Sequence, residues 1–135
     1  MRKQRQNMIS VITPAHNEGA FIEQCLESVK AAAKKVSVPV EHIVVLNRCT
    51  DRTCEIAFQM GAKIVTENAR NLSAIRNKGV AASKGDIIVT IDADSRMSVN
   101  MLKAVLKKLN SGKFIGGGVL IVPERITLGI LCSLF

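Results

Sequence analysis

Tryptophan and tyrosine are absent from this chain of 135 residues, and phenylalanine occurs only four times. Flat aromatic platforms, on which single-stranded nucleic acids stack their bases, are therefore not available. The four cysteines, Cys25, Cys49, Cys54 and Cys132, contain no Cys-x-x-Cys pair. That spacing argues against a dithiol redox centre, and a zinc site assembled from Cys49, Cys54, His16 and His42 would match no standard ligand pattern. Free thiols in a reducing compartment are expected instead. No run approaches the ~20 apolar residues of a membrane-spanning helix. No apolar stretch precedes Met8 in the manner of a signal peptide. The expected location is thus cytoplasmic. Glycine-rich phosphate loops are missing too, because "TPAHNEGA" after the first apolar run holds a single glycine. The usual dinucleotide and ATPase cradles are excluded with it.

What is present is a core and a positive charge. Hydrophobic residues make up 47% of the chain, enough for one packed domain. Nineteen Lys and Arg against eleven Asp and Glu leave a formal charge of +8, which favours an anionic partner. Outside the N-terminal "MRKQR" the basic residues are scattered, as on a solvated surface. Charge alone does not make a nucleic-acid binder, and none is expected here.

The apolar pattern alternates between two periods. "MISVITPA" (Met8 to Ala15), "EHIVVLN" (Glu41 to Asn47), "AKIVTE" (Ala62 to Glu67), "DIIVTID" (Asp86 to Asp92) and "FIGGGVLIV" (Phe114 to Val122) read as short buried strands. Between them lie four amphipathic segments. The first, with Asn17 as N-cap, has one helical face marked by Phe21, Ile22, Cys25, Leu26, Val29, Ala32, Ala33 and Val36. The second is capped by Thr50 or Asp51 and stops at Gly61. The third turns Leu72, Ile75, Gly79 and Ala82 inward, and the fourth Val99, Leu102, Val105, Leu106 and Leu109. Strands alternating with helices predict an α/β fold: a Rossmann-like, doubly wound, mostly parallel sheet flanked by helices. Ligands of such sheets bind beyond the C-terminal strand ends. The polar clusters there are "PAHNE", "LNRCTD" and "DADS", so the pattern predicts that all three meet on one rim.

Each cluster has a chemistry and a plainer structural alternative. Asp92 and Asp94 leave a strand end pointing the same way. Two close carboxylates repel unless a cation joins them, and a hard divalent ion such as Mg²⁺ or Mn²⁺, completed by phosphate oxygens, meets that need. The alternative is that Asp94 or Ser95 caps a turn while Asp92 accepts a backbone N–H. Asn47 and Asp51 suit a nucleobase or ribose, and Arg48, Arg52 and Arg76 suit phosphates. Equally, Asp51 suits a helix cap and the arginines a solvated surface.

Taken together, "ISVITPAHNEGAFIEQCLESV", "IVVLNRCTDRT" and "NLSAIRNKGVAASKGDIIVTIDADS" resemble the N-terminal half of the family-two glycosyltransferases, of GT-A fold. The resemblance covers about residues 8 to 122. It implies a site for a nucleotide-diphospho-sugar of UDP or GDP type. Pro14, Ala15, His16, Asn17 and Glu18 match the first-strand motif that lines the nucleotide pocket. Asn47 and Asp51 match positions of the acidic segment near the base, and Arg76 with Asn77 matches an Ala-Arg-Asn element. Asp92 and Asp94 match the DxD motif, the first toward the ribose or metal and the second on the metal. His16 departs from the usual Tyr, Leu46 and Asn47 from two acidic residues, and Arg48 and Arg52 from Gly.

The resemblance further implies inverting transfer, whose general base comes from a C-terminal half. Downstream of Asp94 the one carboxylate is Glu124, a weak candidate for that base. The expected organisation is a basic tail over 1–7, a GT-A-like nucleotide-sugar domain over 8–125, and an apolar tail over 126–135 that begins a missing C-terminal half. Such a chain is a metal-dependent donor-binding half of a sugar transferase, a non-catalytic nucleotide or nucleotide-sugar binding module, or an inactive truncated fragment that needs a partner. A polysaccharide or lipid-linked acceptor at the inner membrane face, and membrane or self-association through the apolar tail, complete the expectation.

Overall fold

The computed structural model describes residues 8–110, together with the backbone of 120–121 and 130–131. Its elements run β1 (Ile9–Ala15), α1 (Ile22–Ala33), β2 (Val40–Leu46), α2 (Thr53–Gln59), β3 (Lys63–Thr66), α3 (Leu72–Ala82), β4 (Ile87–Thr90), α4 (Met101–Asn110), β5 (Leu120–Ile121) and β6 (Ile130–Leu131). Residues 1–102 and 103–135 form two compact units. In the first, four strands join in the order β3-β2-β1-β4, all parallel. In the second, β5 and β6 pair antiparallel. The rest of the expected fifth strand, Phe114 to Val122, lies outside the described residues, as do Glu124 and Cys132.

The register assigns the two faces of the sheet. Thr13 and Ala15 of β1 stand beside Val44 and Leu46 of β2, and this face packs against Ile22 and Leu26 of α1 and Ala57 of α2. Ile12 stands on the opposite face with Ile43 and Val45, beneath Ile75 of α3. Helices on both faces confirm the doubly wound expectation. β1 and β2 are apolar on consecutive residues because both of their faces are covered. Strand order reverses at β1, with β2 on one side and β4 on the other, which is where such sheets open a crevice.

Several boundaries differ from the sequence reading. α1 begins at Ile22, not beside Asn17, and its N-cap residue Phe21 offers no side-chain hydrogen bond. Asn17 instead adopts a positive φ of 50° in the preceding loop. α3 has the side-chain cap: Asn71 Oδ1 accepts the N–H of Ser73 at 2.9 Å and that of Ala74 at 3.3 Å. α2 closes as expected, at Gly61 with φ of 83°. β4 ends at Thr90, two residues short of Asp92. Phe21, Leu72 and Val99, expected on core-facing sides, are 50%, 49% and 43% exposed, whereas Leu102 is fully buried. Leu72 occupies the first position of α3.

Candidate functional site

The three polar clusters meet at the C-terminal strand ends. A cleft of about 290 Å³ opens there between Pro14, Ala15, His16 and Glu18 after β1, Asn47 after β2, and Asp92 to Asp94 after β4. Leu72 and Ile75 of α3 form its apolar wall.

Asp92 and Asp94 do not sit on a strand. The chain leaves β4 and turns, with the Ser95 N–H donating to the Asp92 carbonyl at 3.0 Å. Ala93 between them is buried in the core shared by α1 and α2, and both aspartates are exposed. The anchoring of that alanine turns both carboxylates outward, where strand alternation was expected to do so. Among the described residues no hydrogen bond reaches either carboxylate. This disposes of the capping alternative, in which Asp92 would have accepted a backbone N–H.

Glu18 adds a third negative group. Its carboxyl is held above the usual carboxylate range by burial first, then by Asp94, Asp51 and Asp92, with His16 opposing. Negative potential therefore accumulates at this rim, despite the chain's net charge. Among the described residues no cluster of three or more His, Cys, Asp and Glu is arranged to hold a metal. The zinc grouping is thereby set aside. What remains is a pair of unpartnered carboxylates, which fits a divalent ion that takes most of its oxygens from a phosphate ligand and water.

Other expected ligand residues are engaged by the protein itself. Asn47 is 2% exposed. Its Nδ2 donates to the carbonyls of Glu67 at 2.6 Å and Ala69 at 2.7 Å, while its Oδ1 accepts from Arg48 Nε at 3.0 Å. An amide so occupied holds the loop after β3, and the expected base contact through it has no free donor. Asn17 Oδ1 accepts the N–H of Thr50 at 2.7 Å and that of Asp51 at 3.3 Å, so it ties the β1–α1 loop to the β2–α2 loop. Asp51 accepts the Thr53 N–H at 3.0 Å and the Thr53 hydroxyl at the first residue of α2, whose N-cap position is Arg52, and its other oxygen accepts from Gly19 N at 2.9 Å. These bonds hold its carboxyl below the usual range. Asn17 and Asp51 are thus latches between two loops.

The basic residues divide. Arg52 pairs with Glu55 at 3.0 Å on the exposed surface, which accords with the solvated-surface alternative. Arg48 lies in the left-handed region, φ 49°, bonded to Asn47. Arg76, one position past the wall residue Ile75, keeps a buried Nε without a partner among the described residues. Its neighbour Asn77 is exposed.

Sequence reading missed three supports. The buried Thr53 hydroxyl accepts the Glu18 N–H at 3.0 Å. Cys49 Sγ donates to the Ala15 carbonyl at 3.3 Å. His16 Nδ1–H donates to the Asn47 carbonyl at 2.7 Å, which orients the ring at the cleft. Cys25, Cys49 and Cys54 are free thiols, as expected. Among the described residues, no helix is long and apolar enough to cross a membrane.

The fold is a parallel sheet with helices on both faces, and the cleft lies at the switch point of its strand order, where α/β domains of this class bind their ligands. Comparison with known proteins narrows the class. Residues 10–128 match the model of glycosyl transferase family 2, and the chain belongs to that family. It is 34% identical over 104 residues to the low-salt glycan biosynthesis hexosyltransferase Agl6 of Haloferax volcanii, covering 77% of this chain and 25% of that protein. It is 27% identical over 121 residues to the dolichyl-phosphate hexose transferase of the same organism, covering 90% and 49%. Glucosyl-3-phosphoglycerate synthase from Mycobacterium tuberculosis, solved with Mn²⁺, UDP and glucosyl-3-phosphoglycerate, superposes with a TM-score of 0.66 at 28% identity, over 79% of this chain and 41% of that one. The chain thus spans a quarter to a half of the length of these relatives.

Proposed function

We propose that the cleft binds a nucleotide-diphospho-sugar together with a divalent metal ion, as the donor site of a sugar transfer to an acceptor. The observation that carries this reading is the pair Asp92 and Asp94, two exposed carboxylates without partners among the described residues, which flank a buried Ala93 at the cleft. Asp94 and Asp92 would hold Mg²⁺ or Mn²⁺, whose charge neutralises the diphosphate as it leaves. Pro14, Ala15 and His16 would line the nucleotide, and Leu72 and Ile75 would supply the apolar wall that the missing aromatics do not. Arg76, with its unpartnered Nε, would meet the nucleotide's phosphates. Asn17, Asn47 and Asp51 act one step back, by holding the loops that shape the pocket. Glu18 would feel the metal most directly among the remaining groups, because after burial Asp94 is the largest cause of its raised pKa.

The reading draws support from the family membership and from a solved relative that contains Mn²⁺ and UDP. The acceptor, the inverting course of transfer and contact with a membrane face belong to the same proposal at one further remove.

The test is a thermal-shift titration with UDP and GDP, each with Mn²⁺ and with EDTA, on this chain and on Asp94→Asn. A ligand at a hundred times its Kd stabilises the folded state by ~2.7 kcal/mol. A Mn²⁺-dependent shift with one nucleotide, lost in Asp94→Asn, is the expected result. No shift with either nucleotide would overturn the reading. Slow hydrolysis of the bound donor would separate a catalytic site from one that only binds.

A further inference from the structure

The segment that carries Asp92 and Asp94 is fastened at both ends, and its second fastening is on α1. At the first end the Ile91 N–H donates to the Ile12 carbonyl of β1 at 3.0 Å, one step past the paired residues of β4. At the second end the Met97 N–H donates to the Ser28 hydroxyl of α1 at 2.7 Å. One residue earlier, Arg96 donates to Gln24 Oε1 from Nε at 3.1 Å and from Nη2 at 2.6 Å. Gln24 and Ser28 stand four residues apart on α1 and therefore share one face of the helix. Consecutive residues of the segment thus land on successive turns of α1. The Met97 side chain is buried, as that of Ala93 is, while Asp94 and Arg96 between them are exposed.

Ser28 is prepared as an acceptor by its own helix. Its hydroxyl has one proton, and it donates that proton to the Cys25 carbonyl three residues back, at 2.7 Å. The oxygen can then only accept, and the group it accepts from is the Met97 N–H. Removing the hydroxyl would leave that N–H without a partner at a buried residue. Ser28 also borders an open hollow of about 380 Å³ with Gln24, Glu27 and Arg96, so a threonine methyl has room there.

Between the two fastenings, residues 92–96 form a short bridge from β1 to α1. Neither carboxylate of the bridge has a hydrogen-bond partner among the described residues, so its backbone alone places them. We infer that Ser28, assisted by Gln24, is a positioning residue: its hydroxyl holds the far end of the bridge on α1 and thereby fixes where the Asp92 and Asp94 carboxylates stand at the cleft. The consequence for a ligand rests on the proposed donor site, whereas the anchoring itself does not.

The test separates the two. Hydrogen exchange of the 92–97 backbone, normalised to exchange in β1 and β2, is measured on the intact chain and on Ser28→Ala, Ser28→Thr and Gln24→Ala. The affinity of the same four proteins for Mn²⁺·UDP is measured by calorimetry. Ser28→Ala is expected to speed exchange at 92–97 by about fivefold and to weaken Mn²⁺·UDP by a similar factor. Ser28→Thr, which keeps the hydroxyl, is expected to recover most of both. Gln24→Ala, at an exposed position, is expected to change both in the same direction by about twofold. Unchanged exchange at 92–97 in Ser28→Ala overturns the inference, as does a Ser28→Thr variant no better than Ser28→Ala. Faster exchange with the intact chain's affinity for Mn²⁺·UDP also overturns the positioning role. Should Ser28→Ala fail to fold, Gln24→Ala decides, and no change at 92–97 there overturns the inference. If the intact chain does not bind Mn²⁺·UDP while Ser28→Ala still exchanges faster at 92–97, the anchor stands and the donor-site reading fails.

Discussion

Asn47 Nδ2 donates to the carbonyl of Glu67 across 2.6 Å, so the residue that follows β2 also fixes the loop that follows β3. With Ala69 as the second acceptor and Arg48 as donor to Oδ1, the amide's orientation is unambiguous. Asn47→Ala removes both donors from carbonyls that the fold has turned inward. The expected cost is about 2–3 kcal/mol in unfolding free energy by urea titration. Asn47→Asp is expected to be worse, because it sets a carboxylate against two carbonyl oxygens. If Asn47→Asp is as stable as the parent chain, the latch assignment is wrong.

Gly79 governs how closely α3 lies on the sheet. A Cβ there would stand 2.5 Å from Ile12 Cγ2 and 3.0 Å from Val45 Cγ2, both of them β-branched and buried. Gly79→Ala would ordinarily favour a helix, but here the overlap is expected to dominate and to cost about 1–3 kcal/mol. A lowered Tm with unchanged helix content by circular dichroism is the expected pattern. The cleft wall at Leu72 and Ile75 rides on the same helix, so a nucleotide-induced thermal shift should shrink with it.

His42 makes stability depend on pH. Burial lowers its pKa from 6.5 to about 4. As pH falls below the unfolded value, the unfolded chain takes up a proton that the folded chain refuses until pH is near the folded value. The unfolded state thus binds more protons across this window, and stability is lost as pH drops from about 6.5 toward 4. The full effect is roughly 3 kcal/mol. Carboxylates titrate at the lower end of the window, so the comparison is with His42→Phe. The stability gap between the two proteins should move in favour of the variant as pH falls, and a gap independent of pH would refute the assignment.

Glu18 reports on the carboxylate pair. Burial and then Asp94 raise its pKa, so Asp94→Asn should bring it down toward the ordinary value. A carbon-detected NMR titration of the Glu18 carboxyl in both proteins would measure this. No change on substitution would mean that Asp94 does not face Glu18 across the cleft.

Much of this arrangement was legible in the residues. The alternating periods placed the four strands of the sheet and the helices between them within a few residues, because each element is buried on faces that its own sequence spells out. The rim was legible too, since polar residues at the ends of parallel strands have one place to go. Helix starts were less so. Asn17 has the composition of an N-cap, yet it spends its oxygen on Thr50 and Asp51, thirty-three and thirty-four residues away. Asn71, whose capping bonds reach only two and three residues ahead, is the kind of cap that a sequence can announce.

The sequence by itself determined the parallel α/β order, the two-faced core and the meeting of three polar clusters at one end of the sheet. These follow from periodicity and from the chirality and twist of parallel strands, which local residues dictate. The tertiary structure alone decided which of those polar side chains are spent and which are free. Asn17, Asn47 and Asp51 are consumed by partners from other loops, whereas Asp92 and Asp94 have no partner among the described residues because buried Ala93 turns them outward. A hydrogen bond saturates a group once its partner arrives. That partner comes from a distant segment, and no local pattern records it.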